Sequence, residues 1–251
     1  MRFRFKAFGL HLTASAAALS LILGTLYFGW YAWPGWYLTD AAHVAIVMAG
    51  VDLVLGPALT FIIARPSKPR RELARDISVI VTVQVIALIY GSVSLWHGRP
   101  LYYAYSVNVL QLVQAYDIDS QEASIGLRHN PELAPHWYSL PRWIWAPLPE
   151  DTQKRANIMA AAVLGGDDVI SMPQYFRRWD QGLPSLKATL KKVDDVGYFF
   201  GPDKQRLKER MRAAGLATDE PNSMPLTGRG RPLLAVFDPG SLKITAILSA
   251  S

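Results

Sequence analysis

At 251 residues the chain has room for one large domain or two small ones, and it carries a net charge of +6. The first 97 residues hold 8 Lys/Arg and 4 Asp/Glu, whereas the remaining 154 hold 18 and 16, so an apolar front precedes a part with ordinary soluble charge density. The basic excess sits in short segments flanking apolar runs, which argues against a nucleic-acid binder, and with no cysteine there is no disulfide framework or thiolate metal site.

In chain order, the first element is a run of 33 residues between Lys6 and Asp40 without Asp, Glu, Lys or Arg. About 20 apolar residues cross the hydrocarbon core, so a first span is expected over residues 8–30. The aromatic cluster Tyr27, Phe28, Trp30, Tyr31, Trp33, Trp36 and Tyr37 marks its far interface. Cleavage as a signal peptide is not expected, because the small-residue site Ala14-Ser15-Ala16 lies inside the apolar run. A second span is expected over residues 41–64, whose single charge is Asp52, and a third over residues 77–96, which has none.

Basic residues orient these spans. Arg2, Arg4 and Lys6 precede the first, and Arg65, Lys68, Arg70, Arg71 and Arg75 lie between the second and third. The loop between the first and second has no Lys or Arg. By the positive-inside rule the N-terminus is cytoplasmic, and three crossings place residues 98–251 outside, in the periplasm of a Gram-negative cell. The expected architecture is a membrane protein of three transmembrane α-helices (residues 1–97) followed by a small α+β extracytoplasmic domain (residues 98–251).

Within that domain, Leu101–Tyr116 is rich in Tyr, Val and Leu and is expected to form one or two strands. Residues His129–Pro149 are proline-rich and read as loop carrying the aromatic anchors Trp137, Trp143 and Trp145, which are expected to contact the membrane or a partner. Glu150–Leu164 reads as a helix with Ile158, Met159, Ala162 and Val163 on one face and Gly165-Gly166 as its stop. Leu183–Val196 and Pro202–Ala214 read as two more helices. Leu233–Phe237 and Leu242–Leu248 flank Asp238-Pro239-Gly240-Ser241 and read as a closing hairpin.

Catalytic patterns are thin. His11, His43, His97, His129 and His136 do not fall in metal-ligand spacing, and neither a nucleophile elbow nor a phosphate-binding glycine loop occurs. Gly228-Arg229-Gly230-Arg231 lacks a following helix and is expected to be a flexible basic loop. No enzyme activity and no cofactor are expected.

Asp52 stands out. A carboxylate near the middle of a span costs on the order of 2.5–3.5 kcal/mol on insertion scales, so something should offset it. By depth, Tyr90 of the third span and Ser20 of the first are the expected hydrogen-bond donors. Gly56-Pro57 should kink the second span and free the carbonyl of Leu53, within reach of Gln84. The group Asp52, Gly56, Pro57, Gln84 and Tyr90 is thus a candidate intramembrane polar site. It is an internal clamp between spans, a seat for a partner helix, or a path for ions or protons.

The stretch Val51-Asp52-Leu53-Val54-Leu55-Gly56-Pro57-Ala58-Leu59-Thr60, then Arg75–Ile80 with Gln84, Ala87-Leu88 and Tyr90-Gly91, then Gly98-Arg99-Pro100, resembles the TfpX/TfpZ family of type IV pilin accessory proteins. The region near Pro141 and the hairpin around Phe237-Asp238-Pro239 fit it more loosely. The resemblance implies an accessory factor of the bacterial inner membrane that binds or stabilises the major pilin subunit, a chaperone-like role without established catalytic residues. Expected partners are the type IV pilin, the lipid bilayer and components of the pilus assembly machine. Two further readings are a membrane enzyme modifying pilin or a lipid-linked sugar, and a sensor or scaffold of the pilus machine.

Overall fold

The computed structural model describes residues 1–250, the side chain of Pro202 excepted. It divides into two units, one of residues Met1–Ala32 and Asp40–Arg99, the other of Trp33–Thr39 and the residues from Pro100 onward.

The first unit contains three helices long and apolar enough to cross a membrane: Arg2–Tyr31, Ala41–Ile63 and Arg70–His97. Few of their side chains are buried, as in helices whose outer faces meet lipid. On the third span these are Ile80, Gln84, Gly91 and Leu95, whose spacing traces one face. Val79, Val83, Ile86 and Val93 point outward. Between the second and third helices Lys68 pairs with Asp76. At the opposite end the Tyr31 hydroxyl donates to the Leu95 carbonyl at 2.7 Å, Trp30 meets Trp96 edge-on at 5.0 Å, and the Arg99 guanidinium lies 4.3 Å over the Trp96 ring.

The second span changes pitch in its middle. Gly50–Leu55 forms a π-helical turn between the α-helical segments Ala41–Ala49 and Gly56–Ile63. In that register the N–H of Gly56 reaches the carbonyl of Val51, five residues back. The next residue, Pro57, would reach Asp52 but has no N–H. The orphaned carbonyl is therefore that of Asp52, one residue earlier than α-helical counting gives for Leu53.

The second unit is built on a seven-stranded mixed sheet, order β4-β3-β1-β2-β5-β6-β7. Its strands are β1 (Pro100–Ser106), β2 (Val109–Gln114), β3 (Arg142–Trp145), β4 (Arg177–Arg178), β5 (Ser223–Thr227), β6 (Leu233–Phe237) and β7 (Ile244–Ser249). β1 runs parallel to β3 and β2 parallel to β5; the other pairs are antiparallel. The strands at 100–114 and the closing hairpin lie where the residue pattern puts them. Every residue of β1 is buried because both faces of the sheet are covered, which erases the polar–apolar alternation of a one-sided strand. Tyr103 and Tyr105 face Leu186 and Leu190, while Tyr102 and Ala104 face Ile158 and Phe176. The Tyr105 hydroxyl is satisfied by Ser185 at 3.1 Å and Thr189 at 2.9 Å.

Four expectations are corrected here. Residues 142–145 form strand β3 within the stretch read as loop, since pairing with β1 satisfies its backbone in spite of the neighbouring prolines. The helix Thr152–Val163 buries Ile158 and leaves Met159 and Val163 exposed, because its contact stripe passes through Ile158, Ala161 and Ala162. The helix from Leu183 ends at Thr189: Lys191 exchanges backbone hydrogen bonds with Ser223 at 3.0 and 2.9 Å, which pulls the chain out of the helix. Gly228–Arg231 is no loose basic loop. A side chain at Gly228 would collide with the Leu38 carbonyl and one at Gly230 with the Tyr37 carbonyl, the Gly230 N–H donates to the Leu38 carbonyl at 2.8 Å, and Arg229 pairs with Asp117 at 3.3 Å. Leu38, from the segment between the first two spans, is fully buried in this unit's core.

The charged helix Lys204–Ala213 turns Leu207 and Met211 inward against Leu234 and Val236. Outside, Lys204 and Lys208 grip Asp194 at 2.8 and 2.6 Å, which holds that carboxyl down at a pKa of about 2.

Candidate functional site

Three spans converge on Asp52, which is only 4% exposed. Residues Asp52, Gly56 and Thr60 follow one another at four-residue steps, so the second span presents them on one face. All three are buried, as is Pro57. A side chain at Gly56 would occupy the space of the Gln84 amide, so glycine there is what admits Gln84 to the second span.

The Gln84 amide nitrogen donates to the orphaned Asp52 carbonyl and to Asp52 Oδ1, both at 3.3 Å. Its Oε1 lies 2.6 Å from His11 Nε2 and can only accept, so Nε2 carries the proton. His11 Nδ1 lies 2.6 Å from Thr60 Oγ1 and, in the neutral ring, accepts the hydroxyl proton. The chain of donors thus runs Thr60 to His11 to Gln84 to Asp52 and joins all three helices.

Tyr90 and Ser20 are not in it. Tyr90 is 78% exposed, and Ser20 points outward as well. Equal depth does not bring equal direction: six residues beyond Gln84 the helix has turned about 240°, and nine beyond His11 about 180°. His11 was the partner that reasoning from depth overlooked. The available signal was its spacing to Ala7, Ala14 and Ala18, which puts the ring on the small-residue face of the first span.

Beside this network lies a cavity of about 360 Å³, with Ala7, Ala14 and Ala18 on one wall, Ile77, Val81 and Leu88 on the other, and His11, Asp52, Thr60 and Gln84 also lining it. Further along the same two helices a second, apolar cavity of about 490 Å³ is lined by Ile22, Thr25, Ser92 and Trp96. The wall residues step by three or four throughout, so each wall is a single helix face. From Ala7 to Thr25 the seam is about 27 Å long at 1.5 Å per residue, close to the ~30 Å of a bilayer core.

In the second unit the three candidate tryptophans part company. Trp143 and Trp145 lie on β3 and are partly buried against the core. Trp143 stacks on Tyr103 at 4.7 Å and meets Trp179 at 5.4 Å, while Trp145 fills the space above Gly182. Trp137 is 73% exposed, beside Tyr138 at 5.5 Å, and remains a candidate contact.

The chain is similar along nearly its whole length to proteins of Dichelobacter nodosus. It is 23% identical to the fimbrial assembly protein of serogroup I over 250 residues, which is 98% of this chain and 95% of the relative. The identity and coverage are the same for the fimbrial assembly protein of serogroup E1. With the fimbrial assembly protein of serogroups C1 and C2 it shares 29% identity over 116 residues, 46% of this chain and 88% of the relative. No family model and no solved structure matches. These relatives agree with the resemblance drawn from residues 50–100.

Proposed function

We propose that this protein is an accessory factor for type IV pilus assembly, seated in the bacterial inner membrane, which binds the pilin subunit before it joins the fibre. The observation that carries the reading is the near full-length similarity to fimbrial assembly proteins. The seam between the first and third spans supports it. A subunit waiting in the membrane as one apolar helix needs a receiving surface of helix length, and small residues such as Ala7, Ala14 and Ala18 let a partner backbone come close, where packing and hydrogen bonds drive association. The factor acts by binding, as a chaperone would, and not as an enzyme.

Crosslinking and pull-down from membranes with and without the pilin gene test this. Pilin is expected to be recovered with the protein, and machine components only when pilin is present. Machine components without pilin would replace the reading with a scaffold.

The proposed orientation puts the second unit in the periplasm, with the pilin head. A periplasm-active reporter fused after Gly98 is expected to be active and one at Ser67 inactive. The reverse result would place the second unit in the cytoplasm and remove the pilin head as its ligand.

A further inference from the structure

The network around Asp52 is satisfied at every member except one. Thr60, both nitrogens of His11, and both ends of the Gln84 amide are engaged, and all the donors point toward the carboxylate. Asp52 itself accepts one side-chain hydrogen bond, at Oδ1; among the described residues nothing donates to Oδ2. The residue is nonetheless 4% exposed and lines the cavity between the spans. A carboxylate oxygen that faces a mostly apolar cavity with no donor beside it loses much of its hydration and gains little in return. Were the network only an internal clamp, a donor from one of the three spans would be expected there.

We infer that Asp52 Oδ2 is the recognition point of the seam, and that the occupant is a single membrane-crossing helix bearing a hydrogen-bond donor at mid-membrane depth. This rests on the proposed docking of the pilin membrane segment and adds the chemistry that selects it. The length of the seam calls for an occupant that crosses the bilayer. A lipid acyl chain could fill the apolar walls but has no donor for Oδ2, so it leaves the carboxylate as it was. A helix with a hydroxyl, amide or amine facing Asp52 fills the walls and satisfies the oxygen together. Because Asp52 lies near the centre of the 23-residue second span, the donor sits near the centre of its own helix. A helix without one pairs less well, which makes the seam selective among membrane segments of equal hydropathy.

Asp52→Asn separates this from mere packing. Its remaining oxygen still accepts from Gln84, while its NH₂ now presents a donor to the seam. Recovery of pilin with the full-length, detergent-solubilised protein is expected to fall about tenfold at unchanged abundance, as for a donor left facing a donor. Recovery at the wild-type level overturns the inference. Ala18→Leu, which fills the seam away from the network, distinguishes the two layers of the argument. If it abolishes recovery while Asp52→Asn does not, the donor fails and docking stands; if neither variant affects recovery, docking fails as well. Should Asp52→Asn fail to accumulate, the wild-type protein decides. Replacing each hydroxyl-, amide- or amine-bearing residue in the middle of the pilin helix by alanine is expected to find one position that costs about tenfold in recovery, and the absence of any such position overturns the inference.

Discussion

Gly56→Leu is expected to remove most of the protein from the membrane. Its Cβ alone would take the place of the Gln84 amide, and the longer side chain would drive the second and third spans apart. Overpacking of this kind costs on the order of 1–3 kcal/mol. Here it also breaks the bonds that satisfy the Asp52 carbonyl, Asp52 Oδ1 and His11 Nε2, so two faults arise from one substitution. Quantitative blots of membrane fractions measure the loss. Gly56→Ala should be milder, and joining it to Gln84→Ala should cost less than the two changes separately, because the second removes the group the first strikes. Normal accumulation of Gly56→Leu would mean that the close passage of Gln84 does not hold these spans together.

The second large effect belongs to Trp143. Its ring lies between Tyr103 and Trp179 and packs against the core of the sheet. Replacing such a ring by alanine costs about 3 kcal/mol. Trp143→Ala should therefore lower the thermal midpoint of the second unit and expose it to limited proteolysis, in the purified full-length protein. Trp137→Ala removes a ring in an exposed loop, so its stability should stay within about 0.5 kcal/mol of wild type. Any loss of pilin recovery in that variant then reports contact rather than unfolding. If instead Trp143→Ala is as stable as wild type and loses pilin, the Trp143 ring belongs to the contact surface.

These two predictions rest on features with different visibility in the sequence. Gly56 and Gln84 were legible as candidates, because a glycine before a proline and a lone amide are conspicuous in apolar spans. Trp143 was legible only as an aromatic in a proline-rich stretch. Its place in β3 depends on pairing with β1, about forty residues earlier, for which local pattern carries no signal. β5 was missed because Ser223–Thr227 contains Pro225, which reads against a strand, and because one of its two partners, β2, lies more than a hundred residues earlier.

The sequence by itself determined the three apolar helices, the polar break at Asp52 and Pro57, the strands that open the second unit and the hairpin that closes it. Bilayer thickness and turn chemistry act on contiguous residues, so a linear reading captures them. Only the tertiary structure decided which polar groups meet. Depth along a span follows from counting, but direction around it depends on how the helices pack, which drew in His11 and Thr60 and left Tyr90 and Ser20 outside. It likewise decided that Trp33–Thr39 belongs to the second unit, because Leu38 is held by Gly230 and by a core assembled from distant strands.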